Sequence, residues 1–177
     1  MAAPAPVVRR DVQVAVSMLL SVLLSIGIAA LYGRLMGAPQ VVLPSDAQRL
    51  LALVNGVRAD SHCPALRVDA ALTEVAQAQA RDMVARGFLS SVNPDNEDAI
   101  TRAARFHYPG MVTEAYAAGL DMPDDVIVQW TQPTGPGAAV AQRIRTCDMV
   151  SAGIGFDAGS VLPRLSAHVW VIDLGDR

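Results

Sequence analysis

Asp69-Ala70-Ala71-Leu72-Thr73-Glu74-Val75-Ala76-Gln77-Ala78-Gln79-Ala80-Arg81-Asp82-Met83-Val84-Ala85-Arg86-Gly87-Phe88 is the most regular stretch of the chain. Its spacing predicts a long amphipathic helix. Asp69 supplies N-cap chemistry, and Gly87 stands where a left-handed C-terminal cap is wanted. Leu72, Val75, Ala76, Ala80, Met83 and Val84 share one face, while Glu74, Gln77, Arg81 and Asp82 lie mostly away from it. Upstream, Ser45 and Asp46 read as the N-cap of another helix. Leu50, Leu53, Val54 and Val57 form its apolar stripe, and it ends near Arg58 to Ser61.

Downstream, residues 88–96 read as a loop from their Asn, Pro and Asp content. A short helix is expected over Ala99 to Phe106 and another from Pro123 to Trp130, with Pro in its first turn. Thr131 to Gly137 is expected to be irregular, and Ala138 to Arg145 helical. Ala152 to Phe156 and His168 to Leu174 read as two strands joined by a turn at Asp157 to Ser160. Helices early and strands late predict an α+β fold, with helices covering an antiparallel sheet.

The 177 residues fit one domain plus an extra segment. Hydrophobic residues make up 52% of the chain and mean hydropathy is +0.32, high for a soluble protein. The excess sits mostly between Val12 and Gly33, a run without charge bounded by Asp11 and Arg34. As a helix it would cover roughly the 30 Å hydrocarbon core of a bilayer. Arg9 and Arg10 before it favour a cytoplasmic N-terminus and an external C-terminal domain. A cleaved signal peptide is the competing reading, with a shorter apolar core expected. Ser17, Ser21, Ser25, Ala29 and Gly33 recur every four residues, a stripe along which a second helix can approach closely. The expected organisation is a short cytoplasmic segment at 1–11, a transmembrane helix at 12–33, a linker at 34–44 and an extracytoplasmic domain at 45–177.

The formal charge is −3, with no basic run, which argues against a nucleic-acid partner. No lysine is present, so Schiff-base and lysine-base chemistry are excluded. Cys63 and Cys147 lie too far apart for a zinc-finger spacing. Export would favour a disulfide between them; two buried free thiols are the alternative.

Several pieces together resemble the bacterial form of the CAP (SCP/PR-1-like) family. They are Val54-Asn55-Gly56-Val57-Arg58, Leu66-Arg67-Val68-Asp69-Ala70-Ala71-Leu72, Ala76-Gln77-Ala78-Gln79-Ala80 and Asp82-Met83-Val84-Ala85-Arg86-Gly87-Phe88. Thr113-Glu114-Ala115-Tyr116-Ala117, Trp130 and Gly153-Ile154-Gly155 continue the order. The resemblance implies an α-β-α sandwich, secreted or membrane-anchored, and a Cys63–Cys147 disulfide. Such a bridge closes a loop of about 85 residues, worth about 4–5 kcal/mol in the chain-entropy account.

The resemblance also implies a cavity with two histidines and two acidic residues, and here this chain departs. Ser91 stands at the first histidine position. Glu114 keeps an acid, but Ala115 replaces the neighbouring Asn. The second histidine position falls on Pro136 counting from Trp130, or on Val140 counting back from Cys147. Ser91, Glu114 and Val140 are thus expected to line a degenerate cavity, with Glu114 shifted upward in pKa or bonded locally to Ser91 or backbone N–H groups. No metal and no cofactor are expected, since a transition metal needs several converging ligands. His62, His107 and His168 read as surface or packing residues. Ser90 or Ser91 with His107 lacks the turn motif of a nucleophilic serine.

These readings predict a non-enzymatic, membrane-anchored binding or scaffold module of the cell envelope. A membrane or envelope protein is the expected partner, a lipid a candidate ligand, and an accessory-subunit role the more specific form. The alternatives are a divalent-metal-dependent or serine hydrolase with a displaced site, and a spacer domain without a ligand.

Overall fold

The computed structural model describes residues 43–162 and 165–177. The expected transmembrane helix at 12–33, its small-residue stripe and most of the linker lie outside the described residues. Among those described, no helix is long and apolar enough to cross a membrane. The elements run α1 (Ser45–Asp60), β1 (Arg67–Val68), α2 (Ala70–Arg86), α3 (Ala99–Arg105), β2 (Val112–Ala118), α4 (Pro123–Trp130), α5 (Pro136–Ile144), β3 (Ser151–Leu162) and β4 (Leu165–Gly175).

The sheet has the order β1-β3-β4-β2. β3 and β4 form an antiparallel hairpin, β2 adds antiparallel to β4, and β1 joins β3 in parallel. Alternation along β4 sends Trp170, Ile172 and Leu174 to one face and Val169, Val171 and Asp173 to the other. The first face packs against Leu50 and Val54 of α1, Val126, Ile127 and Trp130 of α4, and Ile144 of α5. The second packs against Ala76, Ala80 and Met83 of α2. Beside them Leu72 and Val75 meet Ala99 and Ala103 of α3. The result is the expected α-β-α sandwich.

The α2 helix is built as its sequence predicts. The Asp69 side chain accepts from the Leu72 N–H, and Gly87 at φ 67° closes the far end. Gly153 and Gly155 allow the helix onto the sheet: a Cβ at either would collide with the backbone at Leu72 or Ala76.

Four local expectations are corrected. Ser45 and Asp46 do not cap α1; Pro44 holds the N-cap position with no side-chain hydrogen bond. Pro136 and Gly137, assigned to the irregular stretch, open α5, with Pro in its first turn where a missing N–H costs nothing. The turn at Asp157 to Ser160 does not exist, because β3 continues to Leu162 and β4 starts at Leu165. β2 has no counterpart in the expected elements, since Val112–Ala118 carries two buried faces and so shows no polar alternation.

The disulfide is present: Cys63 and Cys147 are bonded, with Cα atoms 4.8 Å apart. It joins the segment after α1 to the segment before β3. Arg58 lies beside it, fully buried. Its Nε donates to Pro64 O, Nη1 to Ile144 O and Thr146 O, and Nη2 to Met149 O, at 2.6–3.0 Å.

Candidate functional site

The site lies on the α2/α3 side of the sheet. Glu114 on β2 pairs in register with Asp173 on β4. Both are buried, Glu114 to 4% and Asp173 to 0% exposure. Arg102, buried to 3%, comes down from α3 and ion-pairs directly with the Glu114 carboxylate. Asp98 positions this short helix by capping Thr101 N. The same guanidinium donates from Nη1 to Ser91 O at 2.9 Å and to Glu97 O at 2.8 Å.

The 88–98 loop is therefore tied to the site from both sides. Gln79 on α2 donates to Ser90 O at 2.9 Å. Asn93 accepts from the N–H groups of Asp95 and Glu97, which folds the loop on itself. Outside Arg102 lies a cleft of about 420 Å³, whose rim carries Asp82, Arg86, Asp95, Glu97 and Arg105. Those charges pair among themselves: Arg86 with Asp82 and Asp95, and Arg105 with Glu97.

The electrostatics follow from placing two carboxyl groups and one guanidinium away from water. Burial pushes the Glu114 pKa up to about 7, against the opposing pull of Arg102 and Ser91. Ser91 sits close enough to favour the charged form, although Glu114 Oε1 has no hydrogen-bond partner. Burial, reinforced by the Glu114 charge, raises the Asp173 pKa well above the carboxylate range.

The remaining expected site residues lie elsewhere. Pro136 and Val140 line a second, largely apolar groove of about 440 Å³ with Leu89, Tyr116, Ala117 and Trp130. From the same helix, Arg143 reaches only the Glu114 main-chain oxygen, at 3.0 Å. The Ser90 hydroxyl accepts from Val92 N, and His107 is exposed beyond α3 while Glu114 is sealed. His168 packs its ring on Phe156 with centroids 4.6 Å apart and faces Asp121. Among the described residues, no group of three or more His, Cys, Asp or Glu side chains is arranged to hold a metal ion. The Glu114–Asp173 pair does not fit one either, because a divalent cation would be repelled by the guanidinium already seated there.

Arg102, Asp173 and Gln79 were not singled out from the sequence. The signal was there for two of them. Arg102 falls on the apolar stripe of α3 with Ala99 and Ala103, and Asp173 interrupts the apolar run 169–174. A charge at a position where packing calls for an apolar side chain is a buried charge with a partner.

A family model described as the cysteine-rich secretory protein family, CAP, matches residues 51–157. The chain belongs to this family. Its fold is similar to an outer surface protein of Borrelia burgdorferi, with TM-score 0.66 and 15% identity over 80% of this chain and 99% of that one. An extracellular SCP-domain protein of Bacillus anthracis gives TM-score 0.63 and 16% identity over 75% of this chain and 40% of that one. A cysteine-rich secretory protein of Staphylococcus aureus gives 0.55 and 13% over 76% and 39%. At these identities the likeness extends to the fold alone. No curated protein matches the sequence. Within the CAP fold, then, this chain joins a retained acid, Glu114, to an arginine from α3.

Proposed function

We propose that this CAP domain is a non-enzymatic binding or scaffold module, held at the outer side of a bacterial membrane by the apolar segment 12–33. The observation that carries the reading is the commitment of Glu114 to Arg102. A carboxyl group buried against a guanidinium is out of a substrate's reach and is a poor metal ligand. Ser91, Pro136 and Val140 supply no imidazole to stand in for it. The extracytoplasmic placement draws on the Cys63–Cys147 disulfide, which persists in oxidising compartments. It also draws on the relatives whose names place them on the outer surface or outside the cell.

The contact surface in this reading is the groove at Tyr116, Trp130, Pro136 and Val140, where apolar side chains and a few polar groups converge. A membrane or envelope protein partner is the favoured occupant, and an accessory-subunit role the specific form; a lipid chain is the other candidate. Co-purification of the full chain from detergent-solubilised membranes tests it. A stoichiometric protein partner, reduced in Val140→Glu, supports the module. Stoichiometric zinc lost in Glu114→Ala, or turnover of ester or peptide substrates lost in that variant, would replace it with an enzyme. Protease added to spheroplasts should digest the domain and leave a short anchored fragment; a protected domain contradicts the topology.

A further inference from the structure

Around the Glu114–Asp173 pair stand Arg102 from α3, Gln79 from α2, Ser91 from the loop and Arg143 from α5, the last touching only main chain. One guanidinium faces two carboxyl groups where water does not reach. The hydrogen-bond count shows the same mismatch. At this site Glu114 Oε1, both Asp173 carboxyl oxygens and Gln79 Oε1 are buried acceptors without a donor, against Arg102 Nε as a donor without an acceptor. A carboxyl proton turns one of these acceptors into a donor and cancels one negative charge of the site.

We propose that Glu114 and Asp173 share one proton at neutral pH. That proton, together with Arg102, fastens α3 and the 88–98 loop to the sheet, and its loss in alkaline solution releases them. The register pairing of the two residues makes the sharing local, as for any two carboxyl groups that cannot both ionise in one site. Arg102 carries the consequence outward through Ser91 O and Glu97 O. With both carboxyls charged, a single cation no longer balances the site and water has to enter. The cleft at Gln79, Asn93 and Arg102 is the route by which loop and helix would part. Burial lets Glu114 ionise at about 7, and burial reinforced by the Glu114 charge keeps the remaining proton on the pair to higher pH through Asp173. The device does not depend on what the groove binds.

Infrared difference spectroscopy and hydrogen exchange on the full chain in detergent test the two halves. At about pH 6, one unit below the Glu114 midpoint, the wild type should show a protonated-carboxyl band that is lost in both Asp173→Asn and Glu114→Gln. Exchange of residues 88–106, corrected for its intrinsic pH dependence, should rise by up to about tenfold per pH unit above 7, the limit for one linked proton. Exchange of α1 should not follow, and Asp173→Asn should flatten the response. Absence of the band in the wild type overturns the shared proton even if neither variant folds. A band surviving both substitutions does the same, and exchange of residues 88–106 that tracks α1 overturns the fastening.

Discussion

Arg58 and Arg102 are both buried arginines, and they solve the same problem in opposite ways. Arg58 meets four main-chain oxygens and leaves none of its nitrogens without a partner. No carboxylate is involved, so the arrangement is indifferent to pH across the range in which carboxyls titrate. Arg102 meets one carboxylate, two main-chain oxygens and a second carboxyl nearby, and leaves five atoms around it unpaired, its own Nε among them. A fully satisfied polar network fixes structure; a partly satisfied one stores free energy that protonation, water or a ligand can release. The first arginine holds the disulfide end of the domain together. The second sits where the family resemblance puts a polar cavity.

The contrast is sharpest in the Arg58→Met variant. It leaves four buried carbonyls short of a donor and should destabilise the domain by about 4–5 kcal/mol, equally at acid and alkaline pH. Urea denaturation at two pH values checks both the size and the flatness. Opening the neighbouring disulfide with Cys63→Ala should lower stability by about 3 kcal/mol, again without pH dependence. Non-reducing mass analysis of membrane-extracted protein should find no free thiol. Arg102→Met should behave differently. At pH 8 it strips the ion-pair partner from two buried carboxyls and should cost about 3 kcal/mol. At pH 5 protonation relieves them, and the cost should fall to about 1 kcal/mol. Equal losses at the two pH values would erase the distinction between the arginines.

Much of the scaffold was legible because its signals are local. Asp69, the Leu72-to-Val84 stripe and Gly87 specify α2 within twenty residues, and Pro123 marks the start of α4. The Cys63–Cys147 link was implied by family placement, since nothing in either segment alone points across 84 positions. The Glu114 pKa shift was foreseen from burial, but its partner was not. Ser91 is a neighbour, as expected, but the ion-pair partner is a side chain from α3. Sequence spacing ties residues along an element; it does not say that position 102 on a helix and position 173 on the last strand converge on position 114. The end of the β3–β4 hairpin was misplaced for a related reason. Asp157 and Gly159 resemble a turn, yet Gly159 serves close packing against Val84.

The smallest of these effects gives the most direct test. Glu114 has a folded-state pKa of about 7, above its ordinary 4.5. Between those values the native state holds a proton that the unfolded chain has lost, and Asp173, raised well above its ordinary value, keeps one beyond 7, so this site's contribution to stability falls as pH rises from about 5 through 8. Asp173→Asn removes the competing charge and places a donor beside Glu114. Stability of wild type and Asp173→Asn should therefore be measured by urea denaturation from about pH 5 to pH 8. Near-equal stability is expected at pH 5, with an advantage of about 1–2 kcal/mol for Asp173→Asn at pH 8. A variant less stable than wild type at pH 8, or a difference that does not change with pH, would contradict it.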